Sequence, residues 1–205
     1  MYSRKSKTTD MAENRRNEII DTSLKLFANQ GYHSTTLDAI ASEIGVTKAA
    51  LYYYFRNKEE IIRVILNRSM DRMKQILRIG KSSLSAKEKL RQFIVYHVIY
   101  GADNTDLAKI AFEQLNILPK RSHEVHKRKQ REVVTFLQDL LQQGINDGTF
   151  AVDDTKVVAF AILGMCNWSY HWYKSQGKLT PNQIADIFIN LLENGYLIKP
   201  PSPGE

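Results

Sequence analysis

Residues Thr36–Phe55 read TLDAIASEIGVTKAALYYYF. Apolar residues at Leu37, Ile40, Ala41 and Ile44 recur at i, i+3, i+4 and i+7, which predicts a short helix with one buried face. Thr35 is its candidate cap, with Asp38 in the capping-box position. Gly45 supplies the left-handed backbone that ends a helix, and Thr47 suits the cap of the next. That second helix, Lys48–Phe55, turns Leu51 and Phe55 inward and leaves Lys48, Ala49, Tyr52 and Tyr53 outward. Small residues, one cation and aromatic hydroxyls make a face suited to a DNA major groove. The pattern is a helix-turn-helix.

Working outward, 205 residues are enough for one large or two modest domains with a real core. Gly and Pro fall between amphipathic runs, so an all-α fold is expected. No run is apolar enough to span a bilayer, and no hydrophobic segment follows the basic N-terminus. A single cysteine, Cys166, excludes an intrachain disulfide or a cysteine-based zinc site and fits a reducing cytoplasm. The net charge of +7 is uneven: residues 1–80 carry 14 Lys/Arg against 9 Asp/Glu, the remainder 15 against 13. The excess accompanies the helix-turn-helix, as phosphate neutralisation requires, although an ordinary basic surface looks the same.

Residues 1–10 read as a disordered basic arm and 11–57 as the DNA-binding domain, whose first helix is expected from Met11 to Ala28. A connecting helix follows over 58–80, with Asn57 and Glu60 boxing its start. Lys58 opposes the dipole there, which a nearby phosphate would explain; an exposed lysine of no consequence is the alternative. The GKSSLS stretch from Gly80 marks the boundary to a second domain, 81–198, followed by a tail, 199–205. Five more helices are expected in it: Ala86–Tyr100 capped by Ser85 and Glu88, Thr105–Ile117, Pro119–Gln143 ended by Gly144, one from Asp153 or Asp154 to Ser175, and one boxed by Thr180, Pro181 and Gln183.

LDAIASEIGVTKAALYYYF followed by NKEEII resembles the TetR family of bacterial transcriptional regulators, over Glu13 to Asn67, and nine helices in this order fit that architecture. The resemblance implies an N-terminal three-helix DNA-binding domain and a C-terminal helical domain for ligand binding and dimerisation. It implies that Thr36 touches a phosphate, that Lys48, Ala49, Ala50 and Tyr52 face base edges, and that Tyr53 and Lys58 hold the DNA backbone. Tyr53 stands where many members carry histidine, so its contact is expected to differ. The partners implied are a palindromic double-stranded operator and a second copy of the chain.

The stretch AFAILGMCNWSYHWYKSQGKLTP, apolar almost all round, resembles regulators of the FadR and KstR type, which respond to acyl-CoA thioesters. Such an effector needs an apolar tunnel and cations for its phosphates. Trp168 and Trp172 lie one turn apart and are candidate walls, with Phe93, Tyr96, Tyr100, Phe112, Leu115 and Phe136; ordinary core is the other reading of these aromatics. Gly164 is expected to permit close helix packing. The run Lys120–Arg131 is a candidate for the nucleotide end or a solvated face. His123 and His126 read as surface histidines, and neither a metal nor a cofactor is expected. Family likeness places the dimer interface on the last two helices, with Ile184, Ile187, Phe188, Leu191 and Leu192 as its stripe. A drug-sensing repressor is the nearest rival. A small helical enzyme lacks any catalytic constellation, and a nonspecific DNA binder would show little operator preference.

Overall fold

The computed structural model describes residues 3–68, 71–113 and 120–195, and these form ten α-helices and no strand. They are α1 Ser3–Gln30, α2 Leu37–Glu43, α3 Lys48–Tyr54, α4 Lys58–Arg68, α5 Asp71–Lys81, α6 Ala86–Asp103, α7 Thr105–Glu113, α8 Lys120–Asn146, α9 Thr155–Trp172 and α10 Pro181–Asn194. The all-α expectation holds. Leu115, Ile117, Pro119, the tail 199–205 and the side chain of His126 lie outside the described residues.

Two compact units emerge. One takes the chain up to Leu77 together with Asn104–Val133; the other takes Arg78–Asp103 and the chain from Val134. The chain divides near the expected Gly80 boundary, but α7 packs on α1 and α4 and clusters with the first unit. The N-terminal arm is corrected too. No Gly or Pro interrupts Ser3–Gln30, so α1 begins at Ser3 instead of near Met11.

In the first unit, α1 packs against α2 and α4, and its Ile19, Ile20 and Phe27 are buried. The turn between α2 and α3 is a Schellman arrangement: Val46 N–H donates to Ala41 at 2.9 Å, Gly45 N–H to Ser42 at 3.2 Å, and Gly45 sits at φ 68°. Ile40, Ala41, Leu51 and Phe55 are buried as expected, while Leu37 and Ile44 are only half-buried. The cap of α2 is Thr36, not Thr35. Its hydroxyl accepts from Ala39 N–H at 3.0 Å, whereas Thr35 is buried and donates to the Gly31 carbonyl at 2.9 Å.

Lys58 holds this unit together in a way the sequence does not announce. Its ammonium donates to the carbonyls of Tyr32 at 2.5 Å, Thr35 at 2.8 Å and His33 at 3.2 Å. It also lies 4.4 Å from the centre of the Tyr32 ring. All three ammonium protons are thereby used. Partial burial holds the Lys58 pKa below the ordinary lysine value. Asn57 caps α4 as expected, accepting from Glu60 N–H at 2.9 Å, but the Glu60 carboxylate accepts from Arg56 N–H at 3.0 Å and so does not close the expected box on Asn57.

In the second unit α6 is the central element, packed on α9 and α10. The Ser85–Glu88 box closes its start, with Ser85 N–H donating to Glu88 at 2.9 Å and Glu88 N–H to Ser85 at 3.3 Å. The Thr180–Gln183 box does the same for α10. Asp154, rather than Asp153, caps α9 through Lys156 and Val157 N–H groups. Gly144 does not end α8, which runs on to Asn146; the left-handed residue is Gly148, at φ 76°. A Cβ at Gly144 would lie 2.0 Å from the Phe150 ring, so glycine there makes room for the returning chain. Gly164, by contrast, has open space around its missing Cβ within the chain.

Replacing Lys58 by Met keeps the apolar stem and removes the ammonium from three carbonyls. The expected loss is about 1–3 kcal/mol, read as a clear fall in the thermal midpoint. An unchanged midpoint, with a salt dependence of DNA binding flatter by about one unit, would instead identify a free phosphate contact.

Candidate nucleic-acid interface and effector region

Helix α3 is held from behind by Leu51 and by Phe55, both fully buried, and Thr47 caps its start by accepting from Ala50 N–H at 3.2 Å. The guanidinium of Arg16 lies 5.0 Å from the Phe55 ring and braces the far end. Arg68 reaches back to Asp21 and, at 3.0 Å, to Asn17, tying α4 to α1. What remains outward is Lys48, Ala49, Ala50, Tyr52 and Tyr53, all exposed. Tyr53 is the most open, at 81%, and its ring meets Tyr54 edge-on at 5.1 Å. Thr36 is exposed at the start of α2, its hydroxyl proton still available to a phosphate. The structure thus brings together, on the first unit's surface, all the predicted DNA-contact residues except Lys58.

One partner went unpredicted. Lys48 donates to Asp38 at 2.7 Å, linking the start of α3 to the first turn of α2. The hydrogen bond with Asp38 raises the Lys48 pKa, so the side chain is a firm cation. Both groups are largely exposed, and the pair contributes little stability. Its effect is to hold the one cation of α3 in place. The signal was present in the sequence as opposite charges flanking the Gly45 turn, but the pattern of apolar spacing says nothing about it.

The second unit gathers aromatics on and around α6. Phe93 is buried, 5.9 Å from Phe136 and 5.2 Å from the His97 ring. Phe136 also fills the space left by Gly80, where a Cβ would approach it to 2.8 Å. Tyr96 and Tyr100 are half-buried, with rings 6.0 Å apart. Phe112 lies on α7 in the first unit and is 37% exposed. The sequence reading missed His97, which is 1% exposed and bonds through Nε2 to Asn167 Oδ1 at 2.7 Å. This joins α6 to α9 by a polar contact inside an apolar layer. A histidine one turn after Phe93 on the inner face of an amphipathic helix was its only signal.

Trp168 and Trp172 are corrected. At 61% and 46% exposure they wall no tunnel within one chain. They lie with Val157, Phe160 and Gly164 at helical spacing along the open side of α9. On α10, Ile187, Leu191 and Leu192 are exposed and Phe188 is half-buried, whereas Ile184 is buried within the chain and is removed from the surface stripe. Large exposed apolar faces of this kind mark interaction surfaces.

Among the described residues no group of three side chains is placed to hold a metal, and no helix is long and apolar enough to cross a membrane.

Two family models match the chain. Residues 19–65 match the bacterial regulatory proteins of the tetR family, and residues 83–196 match the tetracyclin repressor-like C-terminal domain. The fatty acid metabolism regulator protein of Bacillus subtilis (strain 168) is 30% identical over 87% of this chain and 93% of its own length. The HTH-type transcriptional repressor KstR2 of Mycolicibacterium smegmatis is 25% identical over 92% of this chain and 93% of its own. The crystal structure of AibR in complex with isovaleryl coenzyme A and operator DNA superposes with a TM-score of 0.77 at 29% identity, covering 87% of this chain and 98% of that one. With an exposed reading helix, a capped helix-turn-helix and a separate helical unit, the chain belongs to the TetR family of DNA-binding, ligand-responsive transcriptional regulators, and it is not an enzyme.

Proposed function

We propose that this protein is a cytoplasmic, homodimeric repressor of genes of lipid or acyl-chain metabolism, released from its operator by an acyl-CoA thioester. The observation that carries the effector reading is chemical. Among the described residues of the second unit, the buried polar side chains are Lys89, His97 and Ser169, with no carboxylate among them. A cationic drug needs a buried anion to compensate its charge, whereas a thioester carbonyl and an acyl chain need donors and apolar walls. Phe93, Tyr96, Tyr100 and Phe136 supply aromatic surface on the same unit. The relatives support this reading: one is a fatty acid metabolism regulator, and AibR binds isovaleryl coenzyme A.

In this reading Thr36 and Tyr53 hold phosphates, Tyr52 and Lys48 face base edges, and the methyls of Ala49 and Ala50 suit contact with thymine. Lys48 exchanges its Asp38 partner for DNA. Lys58 acts from behind by fixing the turn before α2. Trp168 and Trp172 on α9, with Ile187, Leu191 and Leu192 on α10, meet their copies across a two-fold axis, so that two recognition helices engage a palindrome. Effector binding then favours a state with lower operator affinity, by as much as its affinities for the two states differ.

The effector is tested by thermal shift and operator binding with acyl-CoAs of graded chain length, free CoA and cationic drugs. An acyl-CoA at a hundred times its dissociation constant adds about 2.7 kcal/mol of stability and releases the operator. Stabilisation by the drugs alone would move the protein to the drug-sensing class. Tyr52→Ala is expected to lose about tenfold in preference for operator over random DNA; equal losses on both would make Tyr52 a backbone contact. Ile187→Glu places a charge on the open face of α10. It should yield a monomer by light scattering, with operator affinity down about a hundredfold. A persisting dimer would shift the interface elsewhere.

A further inference from the structure

Asp38 stands in the first turn of α2, and Lys48 opens α3 ten positions later, across the Gly45 turn. The Lys48 ammonium donates to Asp38 Oδ2 at 2.7 Å, and both side chains are largely exposed. An acid at the start of α2 suits that helix dipole by itself. The dipole gives it no reason to reach across to α3. Both ends of the pair are anchored: Thr36 caps α2, Thr47 caps α3, and Val46 N–H closes the turn between them on the Ala41 carbonyl.

Such a pair looks different to the two kinds of acceptor that DNA offers. A phosphate attracts by net charge, and a counterion leaves for each cation that neutralises one. An ammonium and a carboxylate 2.7 Å apart carry no net charge, and their opposed fields cancel well within a screening length of about 8–10 Å. A guanine edge attracts by short, directed bonds to O6 and N7. An ammonium with one proton on Asp38 keeps two for that pair of acceptors. It is also held in one place, whereas a free lysine gives up side-chain freedom on being fixed. The hydrogen bond and charge of Asp38, and more weakly Tyr52, hold the Lys48 pKa above its ordinary value, so all three protons stay on.

We propose that Asp38 is a positioning residue for base readout: it cancels the charge of Lys48 towards random DNA and presents the same ammonium to a guanine edge. Asp38 acts through Lys48 and not through a contact of its own. The inference rests on Lys48 facing base edges, and on a guanine it sharpens the exchange of Asp38 for DNA into a sharing. Non-specific affinity spread over about six to ten phosphates is worth roughly fourfold per contact. An exposed ion pair is worth up to about fivefold, so a phosphate has no advantage over the Asp38 carboxylate.

The test compares the full-length protein with Asp38→Asn, Lys48→Gln and the double variant over a range of salt. The two probes are a random duplex and the tightest duplex that the unaltered protein selects from a random pool. Asp38→Asn keeps the shape and removes the charge. It is expected to tighten random DNA roughly fourfold and to steepen its salt slope by about one unit. Preference for the selected duplex should fall about tenfold, because Lys48 is then drawn to phosphates and no longer held for the base. Lys48→Gln should lower that preference by a similar factor and leave the random-DNA slope where it was. In the Lys48→Gln background, Asp38→Asn should change the preference no further. Both side chains are exposed, so unchanged thermal midpoints are expected for all three variants.

A random-DNA slope flattened by about one unit in Lys48→Gln overturns the proposal, because the cation was then never silenced. Equal effects of Asp38→Asn with and without Lys48 overturn it as well, by making Asp38 a plain surface anion. A preference unmoved by Lys48→Gln fails the base-edge reading itself and takes the proposal with it. That failure shows on the selected duplex, whereas failure of the silencing shows on random DNA.

Discussion

Three backbone carbonyls between α1 and α2 converge on one ammonium, and the position of the reading helix follows from that. The loop 31–36 must turn the chain from α1 into a two-helix motif. Its carbonyls at Tyr32, His33 and Thr35 have no helix to satisfy them, and Lys58 answers all three. Thr36, the next residue, is then where α2 can start, and Thr36 is indeed its cap. From α2 the Gly45 turn sets α3. A lysine in the first turn of α4, unfavourable for its own helix dipole, is thus explained by the acceptors of another segment. A phosphate is not needed to account for it.

Much of the fold was legible because helix ends are written locally. The Ser85–Glu88 and Thr180–Gln183 boxes and the Gly45 turn stand where the sequence puts them, since each depends on residues three or four apart. The misplacements have a common origin in contacts from further away. Thr35 looks as good a cap as Thr36, but burial against α1 commits its hydroxyl to Leu26 and Gly31. Gly144 looks like a stop, but its small size serves Phe150, and Gly148 carries the left-handed turn. The exposed residues of α3 were legible for the same local reason: they are what is left on the helix once Leu51 and Phe55 turn inward.

The effector unit was less legible. An aromatic at helical spacing reads the same whether it faces a core, a ligand or another subunit, and only packing distinguishes these. Phe93 proves buried, Tyr96 and Tyr100 half-buried, and the two tryptophans open. His97 and Asn167 are separated by seventy positions, so no window of sequence joins them. Their bond places a polar pair where apolar packing would be at least as stable, which is the reason to look there for function.

The two tryptophans also make the protein its own spectroscopic probe. The chain holds only Trp168 and Trp172, both on the open side of α9 and neither in the core. Indole emission therefore carries almost no signal from the hydrophobic interior and reports the polarity of a single helix face. A blue shift on concentrating the protein would register that face leaving water, without any label, and a quencher in solution would read how much of it stays wet.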